Sequence, residues 1–316
     1  MDNPSSHPVR GRRCLVTGAS GFIGRALVRR LAALGAEVHG VSRRPPDGDD
    51  PGVAQWWTAD LADATAVDRL VEECRPAHIV HLASAVTGSR DLEIVPRTFA
   101  ANLASAVNLM VASARLGDCR VVLAGSLEEP PPEAPHPLPS SPYAASKWAA
   151  SGYARMFHAL YALPVAIARI FMVYGPGQAD TKKMVPYVCL SAARGEAPKL
   201  MSGGRQVDWI FVEDVADGLV ALMESGVEDG RAVDLGSGEL VTTGEVAARI
   251  CRLAGTGVEP EFGALPDRAM EQVRVADPAA SEALIGWRPA VPMEEGLRRT
   301  LDWYTTRSPG AAAQGG

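Results

Sequence analysis

One stretch, Thr17 to Gly24 (TGASGFIG), constrains the fold of this chain more than any other. Ahead of it, Arg13–Thr17 reads as a short buried strand. After it, Phe22, Ile23, Ala26, Leu27, Leu31 and Leu34 recur at helical spacing. Gly18, Gly21 and Gly24 carry no side chain where the backbone must turn tightly, approach a diphosphate and let helix pack on strand. The helix N-terminus adds free N–H groups and a positive dipole end. A plain Gly-rich turn needs no such order of strand, glycines and helix. The stretch therefore predicts a dinucleotide cradle built from Gly18, Ser20, Gly21, Phe22, Ile23 and Gly24.

The apolar pattern continues with the strand Glu37–Ser42, the helix Ala64–Cys74, the strand Ala77–Leu82, a long helix over Phe99–Leu116 and the strand Arg120–Gly125. Such alternation predicts an α/β fold, a Rossmann-type doubly wound parallel sheet with ligands at the carboxyl ends of its strands. After Val165–Ile170 the rhythm breaks into shorter, glycine-punctuated elements. With 316 residues, 47% apolar and 22% charged, the chain can bury a large core, and no apolar run is expected to cross a bilayer. A formal charge of -6 supplies no basic excess for nucleic acid. Five scattered cysteines and a start without a secretory pattern predict reduced thiols and a cytoplasmic location, and no metal-ligand cluster stands out.

At the end of the second strand an acidic residue would bond both ribose hydroxyls and repel a 2′-phosphate. This chain has Ser42 and Arg43 there, which favours NADP(H), with NAD(H) possible. Asp60 and Leu61, after the third strand, are expected to flank adenine, although Asp60 also suits a helix N-cap.

In Tyr143-Ala144-Ala145-Ser146-Lys147 the i to i+4 spacing puts phenol and ammonium on one helix face. A phenol titrates near ~10, so phenolate near neutrality requires roughly 4 kcal/mol of stabilisation. A cation about 4 Å away, at an effective dielectric near 20, supplies roughly that. Ser126, just past a strand end, is placed to bridge a substrate oxygen and the phenol.

Together with His81-Leu82-Ala83, Asn102, VYGPG at Val173–Gly177, VEDVA at Val212–Ala216, DLGSG at Asp234–Gly238 and GWRP at Gly286–Pro289, these residues resemble the extended short-chain dehydrogenase/reductase family of nucleotide-sugar epimerases, dehydratases and reductases. The resemblance implies oxidoreduction at a sugar ring carbon. Tyr143 would exchange the hydroxyl proton, Ser126 polarise the oxygen, and Lys147 hold the nicotinamide ribose, with Leu82, Ala83 and Asn102 beside the cofactor. It also implies a dinucleotide-binding domain over 10–170 and about 206–240, and a smaller C-terminal α/β substrate domain over about 171–205 and 241–306. Residues 1–9 and 307–316 would lie outside the fold as disordered ends. The implied partner is a nucleoside-diphosphate sugar, with a homodimer by analogy.

Departures from the family pattern bear on the reaction. Met172 stands where Asn often touches substrate, and Val207 where Arg often precedes Asp208, so Arg205, Arg268 or Arg274 would supply the diphosphate contact. Glu128 falls where dehydratases keep a catalytic Glu, but its neighbour is Leu127 rather than an acid. Three functions suit these residues. The leading one is NADPH-dependent reduction of a 4-keto sugar. The second is 4-epimerisation or dehydration with internally recycled cofactor. The third is a catalytically inactive NAD(P)-sensing scaffold, which would have no need of Ser126, Tyr143 and Lys147 together.

Overall fold

A computed structural model describes residues 7–44, 52–131, 136–266 and 272–307. In chain order the elements of its first part are β1 (Arg13–Thr17), α1 (Phe22–Ala33), β2 (Glu37–Ser42), β3 (Gln55–Thr58), α2 (Ala64–Cys74), β4 (His78–His81), α3 (Ile94–Thr98), α4 (Ser105–Leu116), β5 (Arg120–Ser126), α5 (Pro142–Tyr161) and β6 (Val165–Ile170). Then come β7 (Met172–Tyr174), α6 (Met184–Ala193), β8 (Gln206–Phe211), α7 (Val212–Glu224), β9 (Asp229–Leu235), β10 (Leu240–Thr242), α8 (Thr243–Ala254), α9 (Pro278–Ile285) and α10 (Met293–Arg307).

These elements form two compact units. The first, spanning Met1–Ile170, Ala216–Leu235 and Ala279–Arg288, holds a seven-stranded sheet in the order β3-β2-β1-β4-β5-β6-β9, with every pairing parallel. Its inner strands are buried on both faces, so they read as continuous apolar runs. Leu15, Ile79, Val121 and Ile167 from the strands pack with Leu109 and Met110 of α4 and Phe157 of α5.

Between α3 and α4 the backbone makes a π-helical turn over Phe99–Ala104. Contrary to the sequence expectation, the continuous run Ile94–Leu116 is 23 residues long and contains an 18-residue window with a mean hydropathy of 1.2, enough by length and composition alone to cross a membrane. In this fold it is a sheet-covering helix. α4 packs on α2, α5 and β5, and Thr98, Asn102, Ser105 and Ser113 are buried along the run.

The second unit covers Phe171–Val215, Gly236–Pro278 and Pro289–Gly316, and contains a three-stranded sheet in the order β10-β8-β7. Two boundaries differ from the sequence reading. β8 pairs with β7 and β10, which takes 206–215 out of the dinucleotide-binding unit, while 279–288 join that unit, where the Ser281 hydroxyl bonds the Asp234 carbonyl at 2.7 Å. At the N-terminus, Val9 is fully buried, so the stretch expected to fray belongs to the fold from that point; residues 1–6 and 308–316 lie outside the described ones. All five cysteines are free and buried.

The second unit depends on Asp208, which is 1% exposed. Its carboxylate accepts from the Ser237 amide (2.6 Å) and hydroxyl (2.8 Å), the Gly238 amide (3.0 Å) and the Ala276 amide (2.9 Å), joining three separate segments. Asp208→Ala strands several buried donors at about 1–3 kcal/mol each. It should lower stability by at least about 3 kcal/mol in urea unfolding, and Asp208→Asn by less.

Candidate functional site

The carboxyl ends of β1, β4 and β5 lie side by side in the first unit, and the sequence-predicted residues gather there. After β1 the chain turns at Gly18 (φ +67°) and enters α1 at Gly21. No side chain caps α1 and its first turn holds no acid, so its amides stay available to an anion. A Cβ on Gly24 would sit 2.0 Å from the Gly18 carbonyl oxygen, and one on Gly18 would lie 2.9 Å from the Ala83 amide nitrogen. Glycine at these positions is what lets loop, helix and β4 close on one another. Ser20 and Gly21 are exposed and Phe22 and Ile23 half-buried, so the loop presents backbone to solvent and fits a dinucleotide's diphosphate.

Beneath the loop is a fully bonded polar chain. Thr17 Oγ accepts from the Ala83 amide (3.0 Å) and, because the neutral His81 ring carries its proton on the Nε2 that faces Ser105, donates to His81 Nδ1 (2.8 Å). His81 Nε2–H donates to Ser105 Oγ (3.3 Å), which donates to the Ala101 carbonyl (2.7 Å). Burial, and secondarily the Lys147 charge, push the His81 pKa down to about 3, so the ring is a neutral strut. Asn102, 1% exposed, accepts from Ser84 Oγ (3.0 Å) and the Ala85 amide (2.7 Å) and donates to Ser146 Oγ (3.0 Å). Ser146 Oγ in turn donates to the Tyr143 carbonyl (2.7 Å). The Asn102 amide is thus occupied in orienting the loop after β4 and the first turn of α5.

Other expected cofactor contacts sort by burial. Asp60 is exposed and accepts from the Ala62 amide (3.0 Å), whereas the cap of α2 is Asp63. Leu61 is buried, and its carbonyl accepts from Asn108 Nδ2 (3.0 Å). At the end of β2 the Ser42 hydroxyl donates to the Arg44 carbonyl, and Arg43 and Arg44 are exposed.

α5 begins with Ser141 as N-cap, its hydroxyl accepting from the Ala144 amide (3.1 Å), and Pro142 in the first turn. This start aims Tyr143 and Lys147 at the end of β5. The Ser126 hydroxyl stands near enough to the Tyr143 phenol to favour its ionisation, and Lys147 Nζ, 4% exposed, donates to the Ala124 carbonyl at 2.9 Å. One electrostatic expectation is overturned. Burial raises the Tyr143 pKa to about 12, the Ser126 hydroxyl opposes this, and Glu128 and Glu129 add to it. The ammonium lies 6.0 Å from the ring centre, too far to offset desolvation. Burial also lowers the Lys147 pKa to about 8, against an upward pull from Glu129.

Glu128 is half-buried, its carboxylate accepting from Ser140 Oγ at 3.3 Å and its amide donating to Ser126 Oγ at 3.2 Å. Glu129, absent from the sequence-derived candidates, is 5% exposed, and its Oε1 accepts from the Ser126 amide at 2.7 Å. The signal for it was Gly125, a glycine inside a buried strand, which marks a close approach. The expected substrate contacts lie in the second unit. Met172 packs against that unit's own core, Arg205 and Arg274 are half-buried, and Arg268 lies outside the described residues. Among the described residues no group of three or more His, Cys, Asp or Glu could hold a metal ion.

Comparison with known proteins places this geometry. Residues 14–236 match the model of the NAD dependent epimerase/dehydratase family. The chain is 31% identical to a UDP-glucose 4-epimerase of Mycolicibacterium smegmatis, over 94% of this chain and 99% of that one. It is 30% identical to a probable dTDP-glucose 4,6-dehydratase of Sinorhizobium fredii, over 92% of each. A crystal structure of Thermus thermophilus UDP-glucose 4-epimerase complexed with NAD superposes with a TM-score of 0.83 at 30% identity, covering 94% of this chain and all of that one. With its parallel sheet, glycine loop and Ser-Tyr-Lys set, the chain belongs to the NAD-dependent epimerase/dehydratase family of extended short-chain dehydrogenases/reductases.

Proposed function

We propose that this chain interconverts C-4 epimers of a nucleotide-activated sugar with a dinucleotide that ends each turnover unchanged. The observation that carries the reading is the convergence of Ser126, Tyr143 and Lys147 on the end of β5, beside the glycine loop. Tyr143 takes the proton of the C-4 hydroxyl and later returns it, while Ser126 holds the same oxygen by a hydrogen bond. When bound, the oxidised dinucleotide supplies a hydride acceptor for the sugar carbon and a positive ring near the phenol. Lys147 stabilises the phenolate but does not create it alone. Bringing a pKa of about 12 to neutrality takes roughly 7 kcal/mol, and a cation about 6 Å away at an effective dielectric near 20 supplies roughly 3 kcal/mol. Proton transfer is thereby confined to the assembled complex.

Epimerisation is favoured over dehydration by the turn after β5. Leu127, buried at 6% exposure, occupies the place beside Glu128 where a second acid would help expel water, and Glu128 is engaged with Ser140. A second reading, NADPH-dependent reduction of a 4-keto sugar, is supported by Ser42 at the end of β2, where an acid would repel a 2′-phosphate, and by the exposed Arg43 and Arg44 that follow it. NADP(H) is the preferred dinucleotide under that reading.

One assay separates the two. Incubated with a panel of UDP- and dTDP-hexoses and their 4-keto forms, the enzyme is expected to convert many equivalents of hexose with no net change in nicotinamide absorbance. Stoichiometric oxidation of NADPH would replace epimerase by reductase. Tyr143→Phe should lower turnover by about 10²–10⁴-fold while calorimetric dinucleotide affinity stays within a few fold. Unchanged turnover would remove the phenol from the reaction.

A further inference from the structure

Behind the Ser126 hydroxyl sits a carboxylate that the epimerase proton transfer does not use. Glu129 is 5% exposed, and its Oε1 lies 2.7 Å from the Ser126 amide nitrogen. The Glu129 amide donates back to the Ser126 carbonyl at 3.1 Å, closing a tight turn. A Cβ on Gly125 would fall 2.7 Å from the same Oε1 and 2.7 Å from Ile167 Cγ2, so only glycine at 125 leaves this space to the carboxylate. One residue earlier, the Ala124 carbonyl accepts the Lys147 ammonium at 2.9 Å. Carboxylate and ammonium therefore grip the same three-residue strand end, from its amide and its carbonyl sides.

We propose that Glu129 is a positioning residue of this site: its carboxylate fixes the Ser126 turn and is the buried counter-charge of Lys147 across the end of β5. This rests on Ser126, Tyr143 and Lys147 being the reacting set. An ammonium at 4% exposure loses its hydration, and keeping it charged requires a compensating anion. The ionisable groups around the ammonium are Tyr143 on its own helix, His81 from β4 and Glu129 from the turn after β5, while Glu128 of that turn acts on the phenol. Arg169, opposite Gly125 on β6, is paired with Asp234 at 2.6 Å. His81 is neutral, and Glu128 acts on the phenol rather than on the ammonium. That leaves Glu129 as the anion whose field pulls Lys147 upward; the same field holds the phenol up. Glu129 thus retains the cation at the cost of a less acidic phenol.

Glu129→Gln keeps an oxygen acceptor for the Ser126 amide and cancels the charge. Its removal lowers both pKa values, so the pH profile of kcat should move as a whole to lower pH, by on the order of one unit. Glu129→Asp, which keeps the charge, should leave the profile in place. A role confined to shaping the turn would change the height of the profile without displacing it, and an undisplaced profile overturns the proposal.

A second measurement needs no turnover. In a double-mutant cycle on urea unfolding, Glu129→Gln should destabilise the wild-type protein but be neutral or stabilising in the Lys147→Met background. The two effects should differ by at least about fivefold in the unfolding equilibrium constant. If the single variant does not fold, a folded double variant supports the pair, and two unfolded variants overturn it. Additive effects overturn it even in an active epimerase. Coupling in a protein that converts no nucleotide sugar would retain the charge coupling and discard the proposed function.

Discussion

The arrangement of the first unit depends on satisfying polar groups at the carboxyl ends of buried parallel strands. Sheet pairing ends there, so the donors and acceptors that remain buried must find partners in the protein. Thr17, His81 and Ser105 form one such chain, and Asn102 and Ser146 another. Both lie at the π-helical turn Phe99–Ala104: the first chain ends on the Ala101 carbonyl, and the second is centred on Asn102. An extra residue in a helical turn rotates the next turn about the helix axis. That rotation accounts for how Asn102 and Ser105, three residues apart in sequence, meet different partners.

Because these struts are neutral, the few charges left in the site set its electrostatics. A protonated His81 would place a second cation beside Lys147, and the Thr17 hydroxyl proton already occupies the nitrogen that would have to accept it. The glycine loop is therefore linked to α5 through dipoles, and its charge sensitivity is concentrated on Lys147, Tyr143 and the two glutamates after β5.

How far the sequence discloses this arrangement depends on the range of each interaction. The glycine loop, the winding of the sheet and the i to i+4 pairing of Tyr143 with Lys147 are local, set by spacing along the chain, and the structure contains all three. The sheet membership of β8 is a non-local choice between two partners, and its apolar sequence suits either. Asn102 and Met172 show the same limit at single residues. An Asn near a cofactor loop reads as a contact, but its amide is used up by Ser84, Ala85 and Ser146, and Met172 turns into the core of its own unit. Glu129 is not legible in the sequence because a second acid before a proline run resembles a solvated loop, while the space that buries it is created by Gly125.

The sign of the Tyr143 shift carries the physical lesson. Spacing alone suggests that an ammonium one helical turn away lowers the phenol's pKa, and at about 4 Å Coulomb's law agrees. In the folded protein the ammonium turns to the Ala124 carbonyl, two glutamates stand nearby, and burial opposes phenolate more strongly than the cation favours it. A phenolate formed ahead of the substrate would be a desolvated anion among carboxylates. Under the proposed epimerisation, a raised pKa would keep the phenol protonated until positive charge and a reacting hydroxyl were both in place, so the same burial that hinders ionisation would prevent idle proton exchange. Glu129 contributes to each side of that balance: it retains the proton on Lys147, and it makes the phenol wait.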